Sequence, residues 1–405
     1  MKYDVLIIGG GAAGLCCAVM SKKTDNSVLI IEKGDRVGKK ILSTGNGRCN
    51  LTNAYCMPDL LDRNPEGIHP FFSSGDVRFA DSVIKRFGAE DTIAFFESLG
   101  VLTENKEGYI YPRSEQASTI LNALRLACER KGIDTVTGVS VDSIKRISAP
   151  DGYVFLVNGK YRCRKCVISA GGMAAPKTGS DGSMYKVIKD MGHTIVKPIP
   201  ALCGINCDGS FFKELQGVRN YSAISLMDSD GKVILRSTGN LQFTKTGISG
   251  IPVFQLSSEA GKLLDNGTDL TICIDLLPEI GKDRLAEMID SYCSEMKADV
   301  LPPVLNSKLL NVCRKAVGRK GLTFGQTAAE VIKGFKVTPV SLFSFEEAQT
   351  TAGGVSTYEI NVDTMESKII PGMYFAGEII DVNGICGGYN LQWAWSTANI
   401  VSKSI

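Results

Sequence analysis

Apolar residues Val5 to Ile8 run unbroken into Gly9-Gly10-Gly11, and the spacing of apolar positions then turns helical from about Ala12 to Lys22. A second run spans Ser27 to Ile31, so the N-terminus predicts a strand over Tyr3 to Ile8, a glycine turn, a helix and a parallel strand. Val77, Phe79, Val83, Ile84, Phe87, Ile93, Phe95 and Phe96 recur at mostly helical spacing over 77–99, and Ser118 to Lys131 predicts another helix. A strand is expected at Asp134 to Val139, short alternating strands between Val141 and Val157, and a buried strand from Cys166 to Ala170, stopped by Gly171-Gly172.

The pattern changes near Pro198. Short runs broken by turns such as Asp228-Ser229-Asp230-Gly231 predict a β-rich stretch to Cys273, whereas 282–333 is helical, with Leu285, Met288, Ile289 and Tyr292 on one face. Pro371 to Ile380 then predicts a strand and Leu391 to Ser402 a closing helix. The simplest architecture is α/β: a doubly wound domain built from residues 1–195 and 346–405, interrupted by an insert over 196–345. That insert is β-rich over 196–278 and helical over 279–335.

Composition narrows the partners. Lys and Arg number 45 against 43 Asp and Glu, a net charge of +2, which provides no field for holding a nucleic-acid backbone; the expected partner is a small molecule. Thirteen unpatterned cysteines point to a reducing, cytoplasmic setting rather than a disulfide framework. No uninterrupted apolar run reaches about 18 residues, so no membrane span is expected. The 43 glycines among 405 residues exceed the usual share of about 7% and therefore need a positional explanation.

Gly9-x-Gly11-x-x-Gly14 provides part of it. It follows a strand and opens a helix, and Glu32 ends the next strand. Gly9 permits the tight turn, Gly11 lets backbone approach a pyrophosphate, Gly14 lets helix pack on strand, and Glu32 accepts from a ribose. Ala12 and Ala13 lie in the same turn, and Lys33 follows the acid. FAD and NAD share this fingerprint. Just beyond it, Gly38 to Asn53 carries Lys40, Gly47, Arg48, Cys49 and Asn50 where an extended cofactor would continue, and Gly171 ends a third strand. Near the C-terminus, Ala376-Gly377-Glu378 and then Gly387-Gly388-Tyr389-Asn390-Leu391 place a strand end and a helix start where amides stabilise negative charge.

At these residues the chain resembles the bacterial flavoproteins that include BaiN-type bile-acid reductases and the aminoacetone oxidases, a branch of the glutathione-reductase-like two-domain FAD enzymes. The matching segments are VLIIGGGAAGL at 5–15, GKKILSTGNGRCNLTN at 38–53, GYIYPRSEQA at 108–117, FTKTGISG at 243–250, TTAGGV at 350–355 and PGMYFAGEIIDVNGICGGYNLQWAW at 371–395. The resemblance implies non-covalent FAD in a Rossmann-type domain, with Gly9, Gly11, Gly14, Glu32, Arg48 and Glu378 among its contacts, and an inserted β-barrel plus helical domain.

No second G-x-G-x-x-G follows a strand, so NADH or NADPH would dock transiently as electron donor. His69 and His193 are the only histidines and fall in no motif, and Cys163-x-x-Cys166, at a strand edge, is displaced from the fingerprint. Tyr389 and Lys245 are the candidate proton donors, while Cys49 and Cys386 sit in the flavin-proximal motifs. The expected activity is flavin-dependent, NAD(P)H-linked reduction of an activated C=C bond in a steroid- or bile-acid-like molecule. The alternatives are an oxidase of small amines and a tRNA-modifying or sensing flavoprotein. Glu32→Ala is expected to weaken FAD retention and leave the fold intact.

Overall fold

A computed structural model describes the chain apart from residues 65–66, 77, 149–151, 153 and 319–321. It divides into two compact units, Met1–Ile199 with Gln349–Ile405, and Pro200–Ala348.

The first unit is built on a seven-stranded sheet. Strand β1 (Lys2–Ile8) is central and fully paired, parallel to β2 (Val28–Ile31) on one side and to Tyr161–Ile168 on the other. Burial on both faces explains why Val5 to Ile8 read as an unbroken apolar run rather than an alternating one. Asp134–Val136 extends the sheet beyond β2. The far edge of Tyr161–Ile168 is shared by the hairpin strand Phe155–Val157 and by Met373–Phe375, which brings the C-terminal segment into register with the N-terminal one. Cys163 and Cys166 thus lie on an interior strand, not an edge, and both are buried.

Helix α1 (Ala12–Ser21) packs against the closing helix Tyr389–Ser404. That helix carries Trp393 and Trp395 into the core, both essentially without exposure. Each buried indole removes roughly 200 Å² from water, about 5 kcal/mol before conformational entropy is subtracted. Neither ring N–H is orphaned: Trp393 Nε1 donates to Gly377 O (3.1 Å) and Trp395 Nε1 to Leu51 O (2.9 Å). The closing helix is therefore stitched to the strand end at 375–379 and to the 51–53 segment.

Several elements differ from the pattern reading. Residues 77–99 form two helices, Arg78–Ile84 and Ala89–Ser98, because Gly88 is extended and its N–H donates to Asp91 Oδ2 (2.9 Å), which starts a new helix; Val77 lies outside the described residues. The strand expected over 371–380 is only Met373–Phe375, since Gly377, at φ +77°, turns the chain into a short 3-10 helix, Gly377–Ile379. The short strands expected over 141–157 are Ile144–Arg146 and Phe155–Val157, with 149–151 and 153 outside the described residues.

The second unit is a closed six-stranded antiparallel barrel, in the order Ile205–Asp208, Gly247–Ser249, Val233–Phe243, Arg219–Met227, Thr271–Asp275 and Phe335–Leu342. Helices Lys282–Met296, Ser307–Ala316 and Phe324–Lys333 accompany it. The stretch expected to be β-rich also contains Ile251–Asp265, a 15-residue helix. Pro252 in its first turn and buried Val253, Leu256 and Ala260 at helical spacing specify it. Ser257, Ser258 and Gly261 had masked the pattern. No helix among the described residues is long and apolar enough to cross a membrane.

Candidate functional site

The glycine turn shows a division of labour. Gly9 is at φ +99°, and a Cβ there would lie 2.6 Å from Ser169 O. A Cβ on Gly14 would lie 1.9 Å from Gly9 O, whereas one on Gly11 meets nothing within 4 Å. Two glycines are thus required by the protein's own packing, and the third borders open space.

Glu32 is buried against this turn. Gly10 N–H donates to its Oε2 (2.8 Å) and Gly34 N–H to its Oε1 (2.6 Å). The carboxylate is therefore oriented by the backbone before any ligand arrives, and its remaining lone pairs are available to a hydroxyl. This changes the expectation for Glu32→Ala. Losing an acceptor for buried N–H groups costs about 1–3 kcal/mol, so apo Glu32→Ala should unfold at a lower temperature than apo wild type by thermal denaturation, while Glu32→Gln, which keeps one acceptor, should fall between.

Around the turn lies a cleft with an empty volume of about 1310 Å³, its open mouth included. Its wall includes Gly9, Gly11, Ala12, Ala13, Glu32, Lys33, Lys40, Gly171, Gly377, Glu378, Asn390 and Leu391, all predicted from sequence. Both halves of the first unit meet here, since Lys40 Nζ donates to Glu378 Oε2 (2.7 Å). Glu378 Oε1 accepts from Thr351 N–H (2.8 Å), which fixes the carboxylate.

Sequence reasoning missed one wall, formed by Ser169 and Ala170 and by residues 178–184. Lys33 is ion-paired with Asp181 in that segment. Ser180 Oγ and Thr350 Oγ1, both lining the cleft, are buried hydroxyls with no hydrogen-bond partner. An orphaned polar atom costs free energy unless something satisfies it. Two of them lining one cleft suit a polar, extended ligand. Behind this wall Tyr185 is buried, and its burial, with the nearby charges of Glu378 and Asp381, raises its pKa, so it remains a neutral phenol. The signal for this wall was present in the sequence: Gly179-x-x-Gly182 repeats the strand, glycine loop, helix order of the N-terminus.

Other predicted residues stand elsewhere. Gly14 packs beneath the turn. Gly47, Arg48, Cys49, Asn50, Gly388 and Tyr389 are not among the described residues lining the cleft. Arg48 is exposed, its guanidinium 5.1 Å from the Tyr111 ring centre. Cys49 is buried, and burial pushes its thiol up to about 12 against the opposing pull of Thr44, so it is not a thiolate. Asn50 Oδ1 is enclosed without a partner, close to where a Cβ on Gly388 would stand. Gly388, at φ +97°, is the N-cap of the closing helix. Tyr389 is buried edge-on against Phe71, with ring centres 5.9 Å apart. Lys245 is an exposed turn residue of the second unit, between Val233–Phe243 and Gly247–Ser249. Among the described residues, no group of three or more His, Cys, Asp or Glu side chains is placed to hold a metal.

A family model described as the HI0933-like protein Rossmann domain matches residues 3–404. The chain is 36% identical over 414 aligned residues to the 3-dehydro-bile acid delta(4,6)-reductase of Clostridium scindens, which covers 98% of each chain. It is 30% identical over 410 residues to the ribosomal RNA dihydrouridine synthase of Escherichia coli, covering 98% of this chain and 96% of that one. Among solved structures, the 3-ketosteroid delta1-dehydrogenase of Sterolibacterium denitrificans has a TM-score of 0.52 at 12% identity, over 99% of both chains, a likeness of fold.

Proposed function

The chain belongs to the HI0933-like Rossmann-domain family and is an FAD-dependent oxidoreductase; on that premise we propose that it reduces a C=C bond conjugated to a carbonyl, in a steroid- or bile-acid-like small molecule, with NADH or NADPH as donor. The observation that carries this reading is the end-to-end 36% identity to a bile-acid reductase. Overall, the donor gives a hydride, one proton is taken up, and the C=C becomes CH–CH with the carbonyl retained.

The cleft residues fit FAD. Gly9, Gly11, Ala12 and Ala13 offer bare backbone and the N-terminal amides of α1 to a pyrophosphate. Glu32, with Lys33 beside it, takes the adenosine ribose, and Lys40, Gly171, Gly377, Glu378, Asn390 and Leu391 hold the other half. When bound, FAD supplies a reversible hydride carrier. The protein's task is then to orient the substrate, exclude water and deliver one proton, for which Tyr389, at the start of the closing helix, is the candidate donor.

A second reading rests on the ribosomal RNA dihydrouridine synthase relative. Dihydrouridine is uridine with its C5=C6 bond saturated, and that bond is conjugated to a carbonyl, so the chemistry is shared and only the carrier of the ring differs. The net charge of +2 favours the small molecule. Anaerobic incubation with NADPH or NADH and 4-androstene-3,17-dione should yield a dihydro product by mass spectrometry. Dihydrouridine in ribosomal RNA, with the steroid unchanged, would establish the second reading instead.

A further inference from the structure

Thr44 lines the cleft, and its carbonyl accepts from Cys49 N–H (3.0 Å), which closes a short loop at the cleft's edge. Arg48 is exposed on that loop. We propose that Arg48 is an anion anchor for the substrate, and that the substrate it selects carries a carboxylate, as an acidic steroid of the bile-acid type does and a neutral ketosteroid does not. The proposal deepens the C=C reduction reading above and rests on it.

Charge is the first ground. Lys33, Lys39 and Lys40 line the cleft, and each is paired with an acid, Asp181, Asp35 and Glu378 in that order. Arg48 has no such partner among the described residues. Its contacts are a long hydrogen bond from Nε to Gly45 O (3.5 Å) and the Tyr111 ring. Both Nη groups are left without an acceptor, and a guanidinium in that state is the fork that takes a carboxylate through two parallel hydrogen bonds.

Presentation is the second. Gly45, Asn46, Gly47 and Cys49 all have positive φ, and left-handed backbone at the two non-glycine positions costs free energy that the surrounding fold must offset. The burial of Cys49 fixes one end of the loop. Tyr111 supports the other side: its ring centre lies 5.1 Å from Arg48 Cζ, and a Cβ on Gly45 would lie 3.7 Å from its Cε1. Burial raises the Tyr111 pKa against the pull of Arg48, so the phenol stays neutral and the stacked pair keeps its positive charge. The guanidinium is thus held at a set place on the rim, where it can orient a substrate by a group remote from the reacting bond.

The test titrates the FAD-loaded full chain by isothermal calorimetry with 3-oxo-4-cholenoic acid and with its methyl ester, which differ only at the carboxyl group. Wild type should bind the acid on the order of tenfold more tightly than the ester. Arg48→Gln should bring the ratio close to one, and Arg48→Lys should retain part of it. Equal affinity for acid and ester in wild type, or a preference that survives in Arg48→Gln, overturns the anchor even if C=C reduction is observed. Loss of bound FAD from Arg48→Gln also overturns it, by making Arg48 a cofactor contact. Oligouridylate bound by wild type and released by Arg48→Gln, with acid and ester alike, assigns the anion to RNA phosphate and overturns the carboxylate. An acid preference lost in Arg48→Gln, without any C=C reduction, keeps the anchor and sinks the reaction.

Discussion

Gly11→Val should yield a folded protein that no longer retains FAD. The site of the new side chain is empty in the structure, since a Cβ on Gly11 meets nothing within 4 Å, and the backbone at φ −83° tolerates any residue. The apo protein should therefore unfold at the wild-type temperature. The valine would instead occupy the space assigned to the pyrophosphate, and affinity measured by quenching of FAD fluorescence should fall on the order of a hundredfold, about 2.8 kcal/mol. Wild-type affinity in this variant would remove the phosphates from the turn.

The neighbouring motif glycine should fail in the opposite way. Gly14→Ala places a methyl 1.9 Å from Gly9 O and 2.7 Å from Ser169 Oγ. One contact is backbone, so α1 or β1 has to move. Overpacking of this kind costs about 3 kcal/mol or more, which lowers Tm by roughly 6–12 °C in a unit of this size. Differential scanning calorimetry of the apo protein reads it directly, with FAD loss as a consequence of unfolding. A Gly14→Ala variant as stable as wild type would mean that the helix is not seated on the strand as described.

The two glycines show what was legible in the sequence and what was not. The turn, its flanking strand and helix, and Glu32 follow from local pattern, because the physics that selects them acts within some thirty residues. The second role of Glu32, as acceptor for Gly10 and Gly34, needs the folded turn to be seen. The glycine loop Gly179-x-x-Gly182 is visible in the sequence, but its place on the cleft depends on Tyr161–Ile168 lying beside β1, a long-range pairing that no window of sequence contains. Arg48 and Cys49 show the reverse. Their place in a specific motif put them among the cofactor contacts, yet one side chain lies over Tyr111 and the other is in the core. Linear proximity to a motif does not specify which way a side chain turns in a loop where Asn46 and Cys49 are both left-handed. The helix Ile251–Asp265 was hidden for a different reason, because Ser257, Ser258 and Gly261 interrupt its apolar periodicity, while its buried face is satisfied only in the folded unit.

The central claim is that the cleft joining Gly9–Gly14, Glu32 and the 376–391 segment binds FAD for reduction of a conjugated C=C bond. Its most direct test is an anaerobic titration of the FAD-loaded protein, followed in the visible band of the flavin. NADPH or NADH should bleach the band, and 4-androstene-3,17-dione or ribosomal RNA containing unmodified uridine should restore it without oxygen, one acceptor per flavin. A band that bleaches but recovers only when oxygen is admitted, or that neither nicotinamide bleaches, would contradict the account.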